Sequence, residues 1–121
     1  MQDFFEKQIS TTIPNEFVTE FRGGIELWIK REDLLHPEVS GNKFRKLKYN
    51  FLQAKNENFK TILTFGGAHS NHIAATAAAG KLFNFETIGI IRGEELENSR
   101  ENWSPTLKYA ESCGMKFNFI S

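Results

Sequence analysis

From Asn42 to about Asn56 the apolar residues Phe44, Leu47, Phe51 and Ala54 recur at steps of three and four. That period predicts one face of an amphipathic helix, and Lys46, Asn50, Gln53 and Glu57 fall on the other. "TILTF", residues 61–65, is a short apolar run with a β-branched start and reads as a strand. "GGAH" breaks it. "SNHIAATAAAGKLF" then reads as a helix with Ser70 as its N-cap, because alanine is the best helix former. So many alanines predict close packing of this helix against a sheet. "ETIGIIRG" is a second buried strand. "SPTLKYAESCGM" carries helix punctuation at both ends: Ser104 as cap, Pro105 at the first helical position and Gly114 at the left-handed exit. Leu107, Ala110 and Cys113 form its apolar face. "KFNFIS" alternates and reads as a last strand.

Upstream, residues 1–20 are polar with scattered phenylalanines, and the expectation is an irregular arm. "IELWIKRED" alternates, with Ile25, Leu27 and Ile29 on one face, and reads as a strand. "HPEVSGN" is a loop. From Asn42 onward the order is therefore α-β-α-β-α-β. Strands separated by helices pair in parallel, which predicts an α/β protein built as a three-layer α/β/α sandwich with a parallel sheet. In such a sheet ligands bind at the C-terminal edge of the strands, where helices begin.

Composition narrows the function classes. The chain has 121 residues, 40% hydrophobic and 25% charged, as expected for one globular domain. Fifteen basic residues balance fifteen acidic ones, so no basic excess points to nucleic acid or to an anionic membrane. Twelve phenylalanines against two tyrosines indicate core packing. The single cysteine, Cys113, has no internal partner and fits a reducing compartment. "MQDFFEKQIS" carries acids early and has no signal-peptide core, and no apolar run approaches a membrane span. The expected location is the cytoplasm.

Two stretches have chemical potential. "FGGAHSN", Phe65–Asn71, follows a strand and opens a helix. Its glycines let backbone approach a ligand, and a helix N-terminus offers unpaired N–H groups with partial positive charge. The bland reading is a tight turn with a serine cap. The second stretch is "SGNKFRKLKYN", where Lys43 sits in a helix's first turn. A helix N-terminus disfavours a cation, so this amine is expected to be activated as a nucleophile. The bland reading is a solvated lysine in a basic cluster with Arg45, Lys46 and Lys48. His69 and His72 are three residues apart, with no cysteine or carboxylate nearby to complete a metal site. Lining or structural roles suit them better, and no metal is expected. "GEELENSREN" reads as a solvated loop.

In combination, "KREDLLHPEVSGNKFRKLKYNF" followed by "ILTFGGAHSNHIAATAAAGKL" resembles the pyridoxal-phosphate enzymes of the tryptophan synthase β-like fold. Within them it is similar to the 1-aminocyclopropane-1-carboxylate deaminase and D-cysteine desulfhydrase family. The resemblance runs from about Ile25 to Ser121. It implies that Lys43 forms the Schiff base with pyridoxal 5'-phosphate. It implies that Ser70 lies beside the substrate, binding its carboxylate or moving a proton, and that Asn71 hydrogen-bonds the cofactor's ring hydroxyl. Backbone N–H groups around Asn71 and His72 would hold the substrate carboxylate, and Asn42 would help shape the pocket. The implied reaction turns a small amino acid, of the D-cysteine or aminocyclopropane-carboxylate type, into ammonia and a keto acid.

The same resemblance divides the chain. Residues 1–45 correspond to an arm and a strand of the large domain, and 46–121 to most of the small α/β domain. The C-terminal half of the family fold has no counterpart here. Its glycine-rich phosphate loop, its residue facing the pyridine nitrogen and its substrate-sorting tyrosines are not in these residues. The full-length enzyme is expected to be a homodimer. The competing reading is a non-catalytic α/β module that binds a small anion or a partner chain.

Overall fold

The computed structural model describes residues 1–10, 13–39 and 42–121. Ser40 and Gly41, the first half of the "SGNK" turn, lie outside the described residues. The elements are α1 (Gln2–Ser10), β1 (Asn15–Phe21), β2 (Ile25–Lys30), α2 (Asn42–Asn56), β3 (Thr61–Gly67), α3 (Asn71–Phe83), β4 (Glu86–Arg92), α4 (Pro105–Ser112) and β5 (Lys116–Ile120). A 3-10 turn at Glu32–Leu34 follows β2, and two more, Glu94–Leu96 and Arg100–Asn102, lie between β4 and α4.

Strands β3, β4 and β5 form a parallel sheet in that order. The α/β class, the parallel sheet and the α-β-α-β-α-β order agree with the expectation. Of the three expected layers, two lie among the described residues. Strand order and sequence order coincide, so both right-handed crossovers step the same way and put α3 and α4 on one face. The covered face carries Ile62, Thr64, Gly66, Ile91, Phe117 and Phe119, all at least partly buried. The opposite face presents Leu63 and Phe65, 53% and 66% exposed, beside Ile88, Ile90 and Ile120.

The core has two parts. Phe5, Phe44, Leu47 and Phe51 pack with Ala75, Ala78 and Ala79 where α1, α2 and α3 meet. Ile73, Ala77, Ile91, Leu107, Ala110 and Met115 pack between α3, α4 and the sheet, with Cys113 at the margin. The alanines of α3 thus serve both clusters, one on each side of the helix. Ser104 caps α4 through Leu107 N–H, Pro105 opens the helix, and Gly114 beyond it has φ +96°. These follow the pattern read from the sequence.

Where an arm or irregular entry segment was expected, Gln2–Ser10 form a helix and Asn15–Phe21 a strand. Phe5 anchors α1 in the first cluster, ringed by Phe4, Phe44 and Phe83. Residues 15–21 form β1, paired antiparallel with β2, and the two-stranded sheet is separate from the parallel one. An irregularity between Phe17 and Thr19 puts Phe17 and Val18 in succession and hides the alternation that marks a strand. Gly23 and Gly24 turn the hairpin with positive φ, as tight hairpins favour.

Candidate functional site

The turn after β3 is built to approach something closely. A Cβ on Gly66 would lie 2.6 Å from Ile73 Cγ1 and 3.1 Å from Ser70 Oγ, so only glycine lets the strand end tuck under α3. A Cβ on Gly67 would meet nothing within 4 Å. The two glycines therefore differ: Gly66 is required by the protein's own packing, whereas Gly67 faces open space.

Ser70 caps α3 as expected. Its Oγ accepts the Ile73 N–H at 3.4 Å and its N–H donates to Gly67 O at 3.1 Å. The N–H groups of Asn71 and His72, earlier in the same turn, find no acceptor among the described residues. Asn71 and His69 are exposed, while His72 is half-buried. A second serine braces the loop from below: Ser104 Oγ donates to Ala68 O while accepting the Leu107 N–H at 3.1 Å.

Asn42 and Lys43 open α2, with Asn42 exposed and Lys43 half-buried. The expected basic cluster is divided. Arg45 makes a two-pronged pair with Glu32 at 2.6 and 2.9 Å, and buried Lys48 reaches Glu6 at 2.6 Å. Lys43 has no carboxylate within ion-pair distance among the described residues. The loop ahead of it is held by His36, whose Nδ1 accepts the N–H groups of Glu38 (3.2 Å) and Val39 (3.0 Å).

The two motifs meet electrostatically at His72. Burial first, then the positive charges of Lys43 and Lys46, hold the His72 imidazole below its ordinary pKa of 6.5. Its Nε2 lies 2.7 Å from Thr64 Oγ1 on β3 and 3.5 Å from Thr76 Oγ1 one turn along α3. The sequence reading did not single out Thr64 or Thr76. Thr76 is four residues from His72, but nothing local in the sequence marks either threonine as facing the ring, which depends on how β3 packs against α3. No group of three histidine, cysteine or carboxylate side chains among the described residues could hold a metal ion. Among them, too, no helix is long and apolar enough to cross a membrane.

A curated relative, the bifunctional D-cysteine desulfhydrase/1-aminocyclopropane-1-carboxylate deaminase, mitochondrial, of Arabidopsis thaliana, is 44% identical over 73 residues. That is 60% of this chain and 18% of the relative. Over those residues the chain is similar to proteins named 1-aminocyclopropane-1-carboxylate deaminase and D-cysteine desulfhydrase. The crystal structure of an ACC deaminase homologue superposes on the whole chain with a TM-score of 0.72 at 23% identity, covering 39% of that protein. That of a hydrogen sulfide-producing enzyme from Fusobacterium nucleatum also covers all of the chain, with TM-score 0.64, 17% identity and 35% of its own length. The fold is thus the tryptophan synthase β-like one, and the chain spans well under half of the deaminase and desulfhydrase family proteins it matches. No family model matches.

Proposed function

We propose that this chain carries the Schiff-base lysine, Lys43, and the carboxylate-binding turn Ser70–His72 of a pyridoxal-phosphate-dependent deaminase or desulfhydrase acting on a small amino acid. The observation that carries the reading is the convergence of the two motifs: the helix that Lys43 opens packs through Phe44 and Leu47 against Ala75, Ala78 and Ala79 of the helix that Ser70 caps.

The residues fit one end of the cofactor. Gly67 leaves space beside the helix start, Lys43 has no competing carboxylate among the described residues, and the Asn71 side chain is exposed there. The phosphate end has no such cradle among the described residues. The turn after β4 carries Glu94 and Glu95, which repel a phosphate. Pyridoxal phosphate, when bound, supplies an aldehyde and an electron-withdrawing ring. Lys43 Nζ would hold that aldehyde and could give or take a proton at the substrate carbon. Ser70 Oγ accepts from Ile73 and so keeps its own hydrogen free to donate to a carboxylate or pass on. The N–H groups of Asn71 and His72 take the carboxylate, aided by the helix dipole. Asn71 would hydrogen-bond the cofactor's ring hydroxyl, and Asn42 would shape the wall next to Lys43.

The proposal assigns residues 1–45 to the large domain and 46–121 to most of the small one, within a homodimeric full-length enzyme. The separate hydrogen bonding of the β1–β2 sheet supports that division. The test is to add pyridoxal phosphate, reduce with borohydride and map adducts by mass spectrometry. An adduct confined to Lys43 and absent from Lys43→Arg is the expected result. Scattered labelling of surface lysines would overturn the proposal and favour an anion- or partner-binding module, a reading that the open face around Leu63 and Phe65 also supports.

A further inference from the structure

The parallel sheet is covered on one side only. Helices α3 and α4 pack on one face, whereas parallel sheets are ordinarily buried on both. Alternation along β4 fixes what the bare face holds. Thr87, Gly89 and Ile91 are buried toward the helices, so Glu86, Ile88, Ile90 and Arg92 point the other way. Leu63 stands beside Ile88 and Phe65 beside Ile90, while Lys116 and Asn118 take the same two levels on β5. The apolar patch thus has a carboxylate at one end of its central strand and a guanidinium at the other. The strand separates those two by about 20 Å, so they cannot pair within one chain. Among the described residues Arg92 has no ion pair, and Glu86 receives only the Thr61 hydroxyl.

We propose that this face binds a second copy of the chain, sheet against sheet, about a two-fold axis that runs across the strands. With strands aligned, a two-fold axis in the contact plane lies either along them or across them. An axis along the strands sets Arg92 against Arg92 and Glu86 against Glu86, and like charges repel. An axis across them, level with Gly89, lays β4 over β4 in opposite directions. Glu86 of each copy then meets Arg92 of the other, so the same pair forms twice. Ile88 meets Ile90, Leu63 meets Phe65, and Lys116 falls opposite Asn118 rather than another cation. Facing sheets sit about 10 Å apart and within about 30° of alignment, which keeps these levels neighbours despite the twist. Of the two aligned arrangements, only the second makes the face complementary to itself. It covers Leu63 and Phe65, which stand 53% and 66% exposed in the single chain.

Sedimentation equilibrium over a concentration series tests the pairing. The expected species has twice the chain mass of 13.9 kDa. A monomer throughout overturns the proposal and leaves the face to a different chain. Phe65→Lys should be monomeric with an unchanged circular dichroism spectrum, since that side chain is exposed before pairing. A folded Phe65→Lys that still dimerises overturns the choice of face. Glu86→Arg and Arg92→Glu should each weaken dimerisation by about tenfold or more, because both attractive pairs become repulsive. An equimolar mixture of these two variants sets two arginines against two glutamates, so it should recover the dimer as a heterodimer. A mixture no tighter than either variant alone overturns the orientation. The masses are read without cofactor, so they stand or fall separately from the borohydride result.

Discussion

Gly66 lies directly beneath Ile73: a methyl group added to the glycine would sit 2.6 Å from Ile73 Cγ1. Ile73 is fully buried between α3 and the sheet and has little room to withdraw. Gly66→Ala should therefore cost about 1–3 kcal/mol, the usual penalty for overpacking. Gly67→Ala should leave stability within about 0.5 kcal/mol, as for surface changes away from packed features, because its methyl meets open space. The same methyl would stand where a ligand approaches. Trapping of pyridoxal phosphate at Lys43 should fall in Gly67→Ala while its denaturant midpoint stays in place.

Ser104 ties α4 to the candidate loop. Its hydroxyl both caps the helix and donates to Ala68 O, and the side chain is buried. Ser104→Ala removes both bonds and leaves a carbonyl and an amide without partners. The expected loss is about 2 kcal/mol, one share for the cap and one for the tie. Ser104→Thr should recover part of it. Thermal melts of the three proteins check the order. Hydrogen exchange at Ser70 N–H should quicken in the alanine variant, since the loop carrying it loses its brace.

The contrast between Ser104's two bonds shows which features were legible in the sequence. A cap is a local event, and serine before proline announces it. The bond to Ala68 spans 36 positions and depends on how α4 docks, which no local pattern encodes. The helices α2, α3 and α4 and the three parallel strands were legible because each carries its own period or punctuation. The β1–β2 hairpin was obscured because Phe17 and Val18 break the alternation, although Gly23 and Gly24 marked its turn. Helix α1 was obscured because its reason to form, Phe5 against Phe44 and Phe83, is tertiary. At the site, Lys43, Ser70, Asn71 and His72 were legible as motif residues. Thr64 and Thr76 were not, because a threonine facing a histidine is visible only once strand and helix are packed.

Stability should depend on the protonation of His72, with a sign that follows from its shift. Burial, Lys43 and Lys46 depress its pKa below 6.5, so below that pH the unfolded chain binds a proton the native ring resists. The ring's contribution is fully present above about pH 6.5, near the ordinary histidine value, and is lost as pH falls through the native pKa. His72→Asn should flatten this limb of the stability curve. Removing both nearby charges, in Lys43→Met with Lys46→Met, should shift it to higher pH and shrink it. Urea unfolding between pH 5 and 8, with the variants run in parallel, isolates the difference from the chain's carboxylates.

Tyr109 offers a stabilising substitution. Its ring packs against the first core cluster, and its buried hydroxyl makes no hydrogen bond of acceptable geometry among the described residues, although the Cys113 thiol and Glu38 lie near. An unpaired buried hydroxyl costs free energy that a same-shape apolar group avoids. Tyr109→Phe should thus be neutral or stabilise the protein by about 1 kcal/mol. The pH dependence offers a second check. Burial, reinforced by the thiol and the carboxylate, pushes the native phenol well above its ordinary value of 10. The unfolded chain therefore ionises first as pH rises through 10, and the native state loses stability there. Phenylalanine cannot titrate, so the advantage of the variant should widen on the alkaline side. If the two proteins instead kept a constant difference from pH 8 to 11, the hydroxyl would be solvated and the assignment of Tyr109 to the core wrong.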